Sequence, residues 1–217
     1  MTKTFRFVCL TTFWCILPAL AADQSKEPPL GYTLKIGEQK VRVEAGSETT
    51  IQGMFENPKV TLEPDTERHF TYAGLDFRYP AYFAFEADME TESVRIWTLS
   101  GNSSTLMIQH YQTLEMTVEQ FTDALKTQYG KSATVKPISR QFKGRTYHGL
   151  QVTAKIAGAT ITQDVLPFDS TIGSRFLMIQ QSDGESEVSK AEAELVVKLL
   201  NSSLDIKPLS KGDSGLH

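Results

Sequence analysis

From Leu75 to Asp88 the chain reads LDFRYPAYFAFEAD, five aromatic rings around a single proline. In an extended chain successive side chains point to opposite faces, so Leu75, Phe77 and Tyr79 share one side while Asp76 and Arg78 take the other. A helix would scatter these positions around its surface, so the stretch commits this part of the chain to a sheet with one aromatic face. Pro80 has no N–H for a ladder and marks a strand end or a bend. Phe83 and Phe85 resume the alternation beyond it. Such rings either line a pocket or fill a core. They contribute large buried areas, so the expectation is a core, packed under a helix such as Val118–Tyr129.

The same period of two recurs along the chain. Tyr32, Leu34 and Ile36 alternate with polar residues, as do Val41 and Val43, with Gly37, Glu38 and Gln39 turning between them. Weaker strand runs follow at 49–52, 59–63 and 69–72. Val94, Ile96 and Thr98 form another strand, then Leu106, Ile108 and His110, then residues 133–138, 149–156, 160–167 and 175–181. Two stretches carry the helical period instead. Thr117 and Gln120 make a capping-box pattern, Val118, Phe121 and Leu125 recur at helical spacing, and Gly130 supplies a stop. Residues 186–201 make an amphipathic helix with Val188, Ala191, Leu195, Val196 and Leu199 facing inward. Long strand runs between two helices predict an α+β fold. Its antiparallel sheet would be covered by the two main helices in an α/β/α sandwich-like arrangement, with a small β-rich addition at 31–72 before the main domain at 73–205. Residues 23–30 read as a polar linker and residues 206–217 as a disordered tail.

The first 22 residues read as a signal peptide. Lys3 and Arg6 precede an apolar run from Phe7 to Leu17, shorter than the roughly 20 residues a membrane span needs, and small residues follow Pro18. Both cysteines, Cys9 and Cys15, lie in this leader, so the mature chain would hold no disulfide, thiolate ligand or cysteine nucleophile. The leader holds two of the 22 Lys and Arg residues and none of the 26 Asp and Glu, leaving a net charge of −6. That balance disfavours a nucleic-acid partner, whose phosphates require a basic face. No second apolar run approaches membrane length. The expected location is outside the cytoplasm, in the periplasm or beyond it.

The entry Phe77-x-Tyr79-Pro80-x-x-Phe83, the helix MTVEQFTDALKTQYG, four further strands and a closing helix resemble the PsbP-like α/β/α sandwich family, over about residues 74–204. The resemblance implies an exported bacterial protein with an accessory or adaptor role. It carries over no functional residue, and residues 31–72 are not part of the family core.

Candidate chemistry is sparse. Glu86, Asp88, Glu90 and Glu92 alternate, but the glycine and later glutamate of a calcium loop are missing, so a solvated hairpin tip is expected. Glu63, Asp65 and Glu67 read the same way. His69, His110, His148 and His217 show no spacing that would place two on one metal. Only convergence in space could make His110 or His148 functional. Gly130-Lys131-Ser132 mimics the end of a phosphate loop, yet Leu125 occupies the position of the required glycine. No G-x-S-x-G elbow occurs. Lys131, Lys136, Arg140, Lys143 and Arg145 form a modest basic cluster, and Asn102 and Asn201 each begin an Asn-Ser-Ser triplet matching the glycosylation pattern.

These features predict no catalytic, cofactor or metal residue. The expectation is a non-enzymatic accessory or binding protein that recognises an envelope or secreted protein through a sheet edge, its loops or the 31–72 addition. Two competing expectations remain. One is a carrier of a small apolar ligand, with Tyr82, Phe85, Trp97, Met107 and Tyr111 lining a sheet–helix void. The other is a hydrolase, which needs a histidine beside carboxylates in a cleft.

Overall fold

The computed structural model describes residues 23–168, 173–182, 187–207 and 209. The expected signal peptide and most of the expected tail therefore lie outside the described residues. Among the described residues, thirteen strands and two α-helices follow one another. A first antiparallel sheet of order β2-β1-β3 holds β1 (Gly31–Ile36), β2 (Gln39–Glu44) and β3 (Val60–Pro64). A second small sheet of order β13-β5-β4 holds β4 (Glu67–Phe70), β5 (Leu75–Pro80) and β13 (Asp205–Ile206).

The seven-stranded sheet has the order β6-β7-β8-β12-β11-β10-β9 and is antiparallel throughout. Its first half is the meander β6 (Ala84–Thr91), β7 (Val94–Ser100) and β8 (Ser104–Tyr111). Helix α1 (Val118–Tyr129) then carries the chain to the far edge. From there β9 (Thr134–Phe142), β10 (Arg145–Ile156), β11 (Ala159–Phe168) and β12 (Ser174–Ser182) step back until β12 pairs with β8. Helix α2 (Glu187–Ser203) closes the domain.

The expected α+β sandwich, an antiparallel sheet covered by two main helices, is corrected by this arrangement. The described residues are mainly β, 52% strand and 18% helix. One face of the large sheet is covered by α2 together with the second small sheet, so that half of the sandwich is partly sheet on sheet. Phe70 and Phe77 stack at 4.8 Å between ring centroids and meet Trp97 of the large sheet. The opposite face carries a smaller core in which Phe121 of α1 stacks on Phe176 at 4.6 Å, with Val165 and Met178 beneath. Alternating apolar residues show that a segment is extended, but not which sheet it joins; that choice turned a covering layer from helix into strand.

The aromatic stretch is core, as expected. Phe77 and Tyr79 are completely buried and Phe83 nearly so, while Arg78 points outward. The helix beside β5 is α2 rather than α1: the Arg78 amide donates to Ser203 Oγ on the last turn of α2, at 2.9 Å. Within the expected 31–72 addition, β4 pairs with β5, and Phe70 and Tyr72 enter the main core. Residues 49–52 form no strand. The linker lies on the main body, where Trp97 Nε1 donates to the Gln24 carbonyl at 2.8 Å and Tyr72 Oη to that of Lys26 at 2.8 Å.

Candidate functional site

The first small sheet is two-faced. Its register places Tyr32 opposite Val43, Leu34 between Val41 and Leu62, and Ile36 beside Val60, so these side chains share one face. No charged residue falls on it. Lys35, Lys40, Arg42, Glu44 and Glu63 all take the other face, where Lys35 pairs with Glu63 and Arg42 with Asp65. In an ordinary domain such an apolar face is buried against another layer. Here none of these apolar residues enters either core, and Val60 and Leu62 stay more than half exposed. Phe55 and fully exposed Met54 lie on the connection between β2 and β3.

The edges of the large sheet are closed to pairing in a way this face is not. Edge strand β6 is broken by a register shift between Asp88 and Thr91 and carries Glu86, Asp88 and Glu90. Edge strand β9 carries Pro137, which has no N–H, together with Lys136 and Arg140. Charges, bulges and prolines are the devices that keep edge strands from recruiting neighbours. The acidic run at 86–92 and the basic cluster therefore lie largely on edges of the large sheet. The basic cluster is strung along β9 and its flanks, and Arg140 is taken by buried Asp164, to which its Nε donates at 2.6 Å.

Among the described residues the histidines do not converge, and His217 lies outside those residues. His148 is exposed on β10 within 3.0 Å of Ser139 Oγ, and His69 pairs with Asp76. Burial works to raise the Asp76 carboxyl, but hydrogen bonds from Lys207 and His69 outweigh it and hold the group below its ordinary value. His110 is buried on β8, with Arg95 and Arg175 opposite it on the neighbouring strands. The five residues expected to line a carrier void are divided. Trp97 and Phe85 join the larger core, Met107 and Tyr111 the smaller one on the opposite face, and Tyr82 is exposed. Gly130-Lys131-Ser132 is a short 3₁₀ turn after α1.

Sequence reasoning missed Glu192. It faces inward from α2, where its carboxylate accepts from the backbone amides of Asn102, Ser103 and Ser104 at 3.0, 2.7 and 2.8 Å. Ser103 Oγ, Asn102 Nδ2 and Tyr82 Oη also donate to it. Burial alone would raise its pKa, yet these bonds, led by the Ser103 amide, pull it down to about 2. The first Asn-Ser-Ser triplet is thus the β7–β8 turn, held by a carboxylate. Among the described residues no three His, Cys, Asp or Glu side chains are placed to hold a metal ion, and no helix is long and apolar enough to cross a membrane.

No family model matches this chain, and no curated protein matches it.

Proposed function

We propose that this protein is an exported, non-enzymatic binding module of the bacterial envelope, which docks a partner protein on the apolar face of its first small sheet. The single observation behind this reading is that face: charge-free, continuous across three strands, and outside both described cores. Its size indicates the kind of partner. Strands of five or six residues, three abreast, span roughly 18 by 14 Å. That is far below the roughly 800 Å² per side of a stable interface. The footprint suits one amphipathic helix of a partner, about 10 Å wide, in a weak and reversible accessory contact. The divided placement of Trp97, Phe85, Met107 and Tyr111 in two separate cores removes the main support for the carrier reading.

The test is a photo-crosslinking residue at position 62, compared with one at position 90 on the guarded edge of the large sheet. The expected result is one discrete adduct at position 62, absent at position 90 and lost when Val60→Glu is added. The mass of that adduct must differ from twice the chain. A doubled mass, or equal labelling at both positions, would overturn the proposal.

A further inference from the structure

Residues 23–30, reading DQSKEPPL, are held to the body mainly through their backbone. The carbonyls of Gln24, Lys26 and Pro28, every second residue, accept in turn from Trp97 Nε1 at 2.8 Å, Tyr72 Oη at 2.8 Å and Arg68 Nη1 at 2.6 Å. The three donors come from β7, from the β4–β5 connection and from β4. The core fixes their positions. Trp97 is fully buried, and the Tyr72 ring stacks on it at 6.1 Å and meets Phe70 edge-on at 5.3 Å. Aromatic and arginine side chains that receive main-chain carbonyls in a row are a means of gripping a peptide, and proline-bearing segments dock on aromatic-lined sites of this kind.

The side chains of the segment enter the contact at few points. Pro28 is its one buried residue, and the others are exposed or half-exposed. Glu27 pairs with Arg68 at 3.0 Å, and Gln24 Oε1 accepts from Arg95 Nη1 at 3.2 Å. These few bonds and one prolyl ring are set against the entropy of ordering the whole segment, which places it among the parts of a fold that open first. Beneath it, Tyr79 lies directly across the ladder from Arg68 and is completely buried. Among the described residues neither Tyr79 Oη nor Arg68 Nε meets an acceptor. Buried donors are rarely left so, and the segment therefore covers this site without satisfying it.

We infer that the donor row of Trp97, Tyr72 and Arg68 is a peptide-binding site held in cis by residues 23–30, and that it takes an acidic, proline-bearing segment of a partner protein in their place. The ligand chemistry is that of the resident strap. Backbone carbonyls meet Trp97 and Tyr72, a carboxylate meets Arg68, and a proline directly after it takes the buried position of Pro28. A ligand that also offers an acceptor to Tyr79 Oη binds more tightly than the strap does. The site shares no residue with the apolar face of the first small sheet and stands independently of that proposal.

A fluorescent peptide of the strap sequence is titrated into the full chain, native and carrying Glu27→Ala with Pro28→Ala. The double substitution loosens the strap and leaves the donor row unchanged. A tethered strap competes at a roughly millimolar effective concentration, so binding to the native chain is expected to be saturable but weak. The loosened chain should bind about tenfold tighter or more, because a larger fraction of it is open. Arg68→Gln in the loosened chain should cost about tenfold, since it removes a charge-assisted hydrogen bond. A peptide with alanine in place of its glutamate and first proline should lose most of its binding. Far-UV circular dichroism during urea titration reports whether the loosened chain is folded; if it is not, exposed Glu27→Ala alone takes its place, with a gain of several-fold expected. No saturable binding to the native chain, equal affinity in the native and loosened chains, or equal binding of the alanine peptide would each overturn the inference.

Discussion

Glu192 sits on a helix face where hydrophobic patterning would place an apolar residue, and it accepts six hydrogen bonds there. Its folded pKa, about 2, lies below the ordinary 4.5, so its contribution is fully present above pH 4.5 and lost as the pH falls through about 2. A depression of that size corresponds to about 3 kcal/mol between the two charge states. Glu192→Gln is therefore expected to unfold in urea on the order of 3 kcal/mol more easily than the native chain at pH 7. That gap should close toward pH 2; a gap independent of pH would show that the carboxylate charge is not what stabilises the turn. Gly149 is a second single-residue constraint. A Cβ there would overlap the Val165 carbonyl, and backbone cannot yield as a flexible side chain does. Gly149→Ala should lower stability by about 1–3 kcal/mol, read from the urea midpoint.

At the scale of elements, α1 follows its local sequence and α2 does not. Thr117 Oγ1 accepts from the Gln120 amide at 3.2 Å, and Gln120 Oε1 accepts from the Thr117 amide at 2.9 Å. Those bonds lie within one turn, which is why the capping box was legible from four letters. Thr117→Ala should cost about 1 kcal/mol in thermal or chemical unfolding. Helix α2 was expected to bury Val188, Ala191, Leu195, Val196 and Leu199. Its buried stripe instead runs Glu192, Val196, Leu199 and Leu200, with Val188 70% exposed. The stripe rotated because a turn of three free amides lies where Glu192 meets the sheet, and such a turn is invisible in the helix's own sequence. Leu200→Ala is expected to cost about 2–5 kcal/mol while Val188→Ala stays within about 0.5 kcal/mol, measured side by side by denaturation. Equal costs would refute this helix register.

At the scale of the whole molecule, the first small sheet adds no apolar side chain to either core, and its two ends meet. The Asp65 amide donates to the Gly31 carbonyl at 2.8 Å. Joining Gly31 to Asp65 and removing residues 32–64 should leave the near-UV spectrum of Trp97 intact and the stability of the remainder within about 1 kcal/mol, because no core contact is lost. The same deletion should abolish the position-specific crosslink. Loss of the folded spectrum would show that the sheet supports the body rather than extending from it.

The sequence by itself determined where most strands and both helices lie, which side of β5 is aromatic, and how α1 begins and ends. Those properties depend on neighbours within a few residues, through side-chain alternation, capping and turn chemistry. Only the tertiary structure decided that β4 and β5 leave the main sheet, that Trp97 and Tyr111 belong to opposite cores, and that one apolar face is left open. Only it brought Arg95, His110 and Arg175 into one row. Each of those outcomes rests on pairing between segments tens of residues apart. Alternation says that a strand has two faces, but the free energy of burying one of them is settled by whichever distant partner covers it.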